Sequence, residues 1–231
     1  MTKCHGLKCI LICYNNHMQI HQTTIAITLA VIALIIECVM FWKVRKSGPK
    51  IFRYYTLISN FFLLIASAIL IFDAVINQGT FSTVTKVCYF ITTYGLTNTA
   101  IVYWFALWPR DRKKLKKAKT VQAKAKVMGD LKSISPSTSN LFWHTVCPIL
   151  SLLTFLAIPV KLQGDIWMLV AVAPTILYMI IYLLLTATKS WRDPYRLFAR
   201  SKKPALPIIA LILIVLTGCV FALYYLQLIV A

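Results

Sequence analysis

Two short stretches of this chain combine residue types that could do acyl-transfer chemistry. FRYYTLISNFF, residues 52–62, holds Thr56, Ser59 and Asn60 at steps of three and four, so a helix would carry them on one face. NLFWHTVCPIL, residues 140–150, holds His144 in an otherwise apolar setting, with Cys147 three residues on and Pro148 four. A threonine hydroxyl is a weak nucleophile and needs a base within about 2.6 to 3.2 Å, a task that a neutral imidazole performs near neutral pH. Cys147, on the same face as His144, would compete as a nucleophile only as a thiolate, which an apolar helix disfavours.

The elements that must position these groups are membrane spans. Of 231 residues 59% are hydrophobic and 13% charged, and the apolar residues fall in long runs. Lipid offers no water to a stray backbone N–H or C=O, so a crossing segment must be a helix of roughly 20 mostly apolar residues. Segments near Ile20–Trp42, Ile51–Ile76, Thr85–Trp108, Asn140–Val160, Ile166–Thr188 and Ala205–Ile229 meet that requirement. The expected fold is all-α, a single six-helix transmembrane domain over 20–231 preceded by a tail, 1–19. That tail is a poor signal peptide, and Met18 stands where translation could equally begin. Its cluster CHGLKCILIC lacks zinc-knuckle spacing, so no metal is expected, and no cofactor motif occurs elsewhere. The seven cysteines imply no disulfide framework.

The net charge of +19 is distributed unevenly. Lys43, Arg45, Lys46, Lys50 and Arg53 lie between spans one and two, ten lysines and arginines lie between Arg110 and Lys132, and Lys189 to Lys203 hold six more. The other two connections, NQGTFSTVTK and KLQGD, hold one lysine each. This positive-inside pattern predicts three cytoplasmic loops and both termini outside. The two short outer connections predict that spans two with three, and four with five, form antiparallel hairpins. In the basic loop 110–139, Leu115, Ala118, Val121, Ala125, Met128 and Leu131 recur at helical steps. That loop is open to two readings, a basic helix on the anionic inner leaflet or a solvated loop that only fixes topology. Nucleic acid is not an expected partner, because no aromatic platform interrupts the lysines.

Polar groups within the spans are costly and worth following. Besides Thr56 and His144 they include Glu37 in span one, Tyr94, Thr97, Asn98 and Tyr103 in span three, and Thr175, Tyr178 and Tyr182 beside Pro174 in span five. Thr56 and His144 each stand a few residues inside the cytoplasmic end of their span, at similar depths of ~6 to 8 Å. Three uses of these groups stay open: catalysis by a Thr–His pair, movement of a solute or protons, and hydrogen bonds that only join helices in a non-catalytic protein whose basic loop binds a partner or anionic lipid.

The aromatic-Thr-x-x-Ser-Asn start of span two and the His-x-x-x-Pro start of span four resemble the androgen-inducible family of six-span membrane proteins and related bacterial six-span proteins. The resemblance covers nearly the whole six-span region. Eukaryotic members hydrolyse fatty acid esters of hydroxy fatty acids through a threonine and a histidine. By motif, the resemblance implies Thr56 as nucleophile and His144 as general base, acting on a lipid ester. Asn60, one turn beyond Thr56, or Asn98 would donate to the developing oxyanion, with Tyr178 as a further group from span five.

Overall fold

The computed structural model describes residues 6–45, 54–109, 120, 138–188, 190 and 206–230, with side chains from Gln19 in the first helix and from Ile214 in the last. Six helices and no strand occur among them: α1 Gly6–Val44, α2 Tyr55–Ile76, α3 Thr83–Ile101, α4, α5 Ile166–Ala187 and α6 Leu206–Val230. α3 runs on through a π-helical segment, Val102–Leu107, and α4 consists of Thr138–Leu141, a π-helical segment Phe142–Val146, and Cys147–Ala157. α1 begins at Gly6, earlier than expected, because nothing between Gly6 and Ile20 breaks a helix. The cluster's Cys4 and His5, and the basic loop apart from Thr120 and the start of α4, lie outside the described residues.

Gln19–Val44, α2 and α5 are long and apolar enough to cross a membrane, and Phe142–Ala157 and Ile214–Val230 are shorter apolar helices. Their outward faces suit lipid: Ile25, Ile32, Ile35 and Val39 on α1, and Leu169, Leu177 and Leu184 on α5, are exposed. α3 is different because it is hemmed in, packing against α2, α4, α5 and α6. It therefore tolerates Thr85, Lys86, Thr92, Thr93, Asn98 and Thr99, all buried. On α1 the buried residues Ala26, Ala30, Ala33, Glu37 and Met40 follow one another at steps of four and three. Small side chains on such a stripe let helices approach closely, and α1 packs on both α2 and α4.

Helices α2 and α3 form the expected hairpin. Its turn uses Gln78 (φ 51°) and Gly79 (φ 87°), and the Gly79 N–H closes α2 by donating to the Ala74 carbonyl at 2.8 Å. Helices α4 and α5 do not pack as a hairpin. α5 packs on α3 and α6, and α4 on α1 and α3, so α3 fills the space between the two. Close approach of α2 to α3 requires Gly95, where a Cβ would lie 3.1 Å from Ser59 Oγ and 3.2 Å from the Tyr55 hydroxyl.

At the end of the bundle holding the α2–α3 turn, polar side chains finish helix ends. Asp73 accepts from the Ser82 N–H at 2.7 Å, the Ser82 hydroxyl at 2.9 Å and Thr85 Oγ1 at 2.5 Å, and also from Asn77. Lys86, counted as a loop lysine in the sequence, is instead fully buried in α3. Its ammonium donates to the carbonyls of Phe155 at 2.5 Å and Ile158 at 2.9 Å, where α4 ends, and lies 4.3 Å from the Phe155 ring centroid. A cation there meets both the orphan carbonyls and the negative pole of the helix. Gln227 of α6 makes both hydrogen bonds to the Leu162 backbone, at 3.2 and 2.9 Å, and the Tyr224 hydroxyl accepts from the Gly164 N–H at 3.0 Å.

Candidate active site

The site is built from the other end of the bundle, starting with a proline. Pro148 has no N–H, and its ring crowds the carbonyl four residues earlier, which belongs to His144. The helix accommodates this with the π-helical segment Phe142–Val146, and the His144 carbonyl takes a partner from outside. That partner is the Trp104 indole N–H, which donates to the His144 carbonyl at 3.1 Å and to Thr145 Oγ1 at 3.1 Å. Trp104 stands on the π-helical segment of α3, so two irregular helical turns dock on each other. The phenol ring of Tyr103 lies flat on the His144 imidazole, with centroids 3.9 Å apart and planes at 2°. The Thr99 carbonyl faces the imidazole, and Nδ1 has no hydrogen-bond partner although His144 is only 8% exposed.

Thr56 is half-buried in the first turn of α2, and its backbone carbonyl accepts from Asn60 Nδ2 at 2.7 Å. Asn60 thus spends a donor on its own helix, and its unpartnered buried atom is Oδ1, an acceptor. No hydrogen bond joins Thr56 to His144. The registers of two antiparallel contacts nevertheless bring their levels together. Ser59 faces Gly95 across α2 and α3, which sets Thr56, three residues back, level with Asn98, three residues on. Across α3 and α4, Thr93 Oγ1 pairs with Ser151 Oγ at 2.8 Å and Thr99 faces His144, so His144 shares that level. The π-helical segment of α4 also touches α2.

Asn98 is 2% exposed with both amide atoms unpartnered; the Tyr94 hydroxyl one turn away turns towards it without closing a hydrogen bond. Asn98 therefore has both amide N–H groups free, whereas Asn60 has already engaged one of its two. The Tyr178 ring packs on Tyr55 with centroids 4.9 Å apart and on Tyr182 at 6.1 Å, and Tyr55 hydrogen-bonds Thr175 beside it. It therefore sits on the α2–α5 side of the site, one residue from Thr56 through Tyr55. Sequence reasoning missed Trp104 and the stacking role of Tyr103. The His-x-x-x-Pro spacing carried the signal, since a proline four residues on always frees the histidine carbonyl for a donor from a neighbouring helix.

No family model, curated protein or solved structure matches the chain.

Proposed function

We propose that this chain is a six-span membrane hydrolase of lipid esters, with Thr56 as nucleophile and His144 as general base. The observation that carries the reading is the shared level of Thr56, Asn98 and His144, set by the Ser59–Gly95 and Thr93–Ser151 contacts. His144 has an unpartnered Nδ1 to receive the threonine proton, a carbonyl facing its ring and an aromatic plate fixing the ring plane. Thr56 Oγ1 would attack the ester carbonyl while Asn98 Nδ2 donates to the oxyanion; His144 would then return the proton to the leaving alcohol, and water would release the acid. In resting enzymes such hydrogen bonds are commonly long and tighten with substrate bound.

In this reading both termini lie outside, and the basic loops, of which Lys43 and Arg45 are described, meet anionic inner-leaflet lipids. The site then lies at the depth of inner-leaflet ester groups. A small transporter for a solute or protons is the second reading, favoured by the unpartnered carboxyl of Glu37 and amide of Asn98.

A lipid-tailed fluorophosphonate applied to the detergent-solubilised protein tests the hydrolase. An adduct mapped to Thr56 by mass spectrometry, and lost in folded Thr56→Ala and His144→Ala variants, is the expected result. Absence of an adduct under conditions that label a known threonine or serine hydrolase returns both residues to helix packing.

A further inference from the structure

Glu37 is the only glutamate of the chain, and its surroundings are unusual for a carboxyl. It is fully buried and occupies a packing position of the stripe Ala26, Ala30, Ala33, Glu37, Met40, so it faces neighbouring helices and not lipid. Neither carboxyl oxygen has a hydrogen-bond partner. The Cys147 thiol of α4, also fully buried, turns towards it without closing a hydrogen bond. Among the described residues no cation stands within ion-pair distance. On α1 itself, Arg45 is engaged by the Trp42 carbonyl at 2.7 Å and by the Trp42 ring at 3.5 Å. Lys43 is nearly two turns on, towards the helix end, and His21 is far along the other way. The other titratable group of α4 on this face is His144, one turn from Cys147 and under Tyr103. On α2, Asp73 is saturated at the opposite end of the bundle and Tyr55 is bonded to Thr175.

Among the described residues a bare carboxylate in such a place has no compensating charge and only the weak Cys147 S–H as a donor, whereas the neutral acid needs only one acceptor for its O–H, which the Cys147 sulfur can supply. We propose that Glu37 is a proton-binding site whose occupancy holds α1 packed against α4. The ligand is a single proton, added to a carboxyl oxygen. When the proton leaves, an uncompensated anion stands in a stripe of alanines, and the α1–α4 contact must open to bring it water or a cation. The inference is independent of the hydrolase reading, since it requires nothing of Thr56.

Cell-free synthesis with glutamate carrying carbon-13 at its side-chain carboxyl labels one site in the whole chain, so the resonance needs no assigning mutant. The protein in bilayers at neutral pH is expected to show the chemical shift of a neutral acid, moving to that of a carboxylate as pH is raised. Over that range alkylation of Cys147 by a membrane-permeant maleimide, followed by mass spectrometry, should rise several-fold more than in Glu37→Gln, which keeps the same thiol but has no carboxyl to titrate. A carboxylate shift in the folded protein at neutral pH overturns the proposal. So does a titration of Glu37 during which Cys147 reacts no faster than in the glutamine variant. If Glu37→Gln fails to fold, the labelled natural chain still gives the protonation state.

Discussion

The two ends of this bundle treat buried polar groups in opposite ways. Around the α2–α3 turn Asp73 takes four hydrogen bonds, Lys86 gives two and Gln227 makes two, and each finishes a helix end or a connection. At the other end Glu37, Asn60, Asn98 and His144 each hold at least one buried polar atom without a partner. Both ends bury costly groups, but only the first recovers the cost within the fold. Native proteins rarely leave such atoms orphaned, and inside membranes retained polar groups mark a site. The first end is scaffold; in the proposed reading the second keeps its hydrogen-bonding capacity for a substrate.

That comparison can be broken most forcefully at Lys86. Lys86→Met fills a similar volume but removes both bonds to the end of α4, and bonds to a charged donor contribute about 1.5 to 3 kcal/mol each. A loss of about 3 kcal/mol in unfolding free energy in detergent is expected, read from thermal or denaturant melts. A melt indistinguishable from the natural chain would remove Lys86 from the scaffold.

Asn98→Leu sharpens the contrast from the other side. Asn98 has no partner to lose, so stability should change by less than about 1 kcal/mol, or rise, because a buried unpaired amide is replaced by apolar volume. Labelling of Thr56 by the fluorophosphonate should nevertheless slow by about 100-fold, the usual effect of deleting one oxyanion donor. Asn60→Leu should slow it less, since the bond from Asn60 Nδ2 to the Thr56 carbonyl ties that amide to its own helix. Equal slowing in both variants would mean that the assignment of donor to Asn98 is wrong.

What the sequence made legible follows the same division. Long apolar runs separated by charged connections are a strong signal, and six helices lie close to their expected places. Relative level was legible as well: counting residues from the starts of the second and fourth apolar runs put Thr56 and His144 at similar heights, and the antiparallel registers place the two residues near one level. Neighbourhood was not legible. Nothing in local composition says that α3 would lie between α4 and α5, because connection length constrains which helices can touch without choosing among them. Lys86 was misplaced for a related reason. A lysine near an apolar run reads as a boundary, and only the third dimension supplies the two carbonyls that let it enter the bundle. Asn98 against Asn60 as a donor likewise depends on which amide its own helix has already engaged.

A similarly small expected effect on stability tests the most local part of the site. Pro148→Ala restores an N–H four residues after His144 and removes the ring that crowds its carbonyl. The restored donor competes with Trp104 for that carbonyl, so one bond replaces another and unfolding free energy should move by no more than about 1 kcal/mol. Geometry should respond more than energy. If Phe142–Val146 tightens to an α-helix, His144 rotates relative to Cys147 and slides against the Tyr103 ring, which now lies parallel to it. Thr56 labelling should then fall, while Trp104→Phe, which keeps the proline but removes the donor, should slow labelling less because the π-helical segment persists. If Pro148→Ala instead leaves labelling unchanged, the irregular turn is only a packing response to proline, and the level of His144 alone, not its ring orientation, is what the site requires.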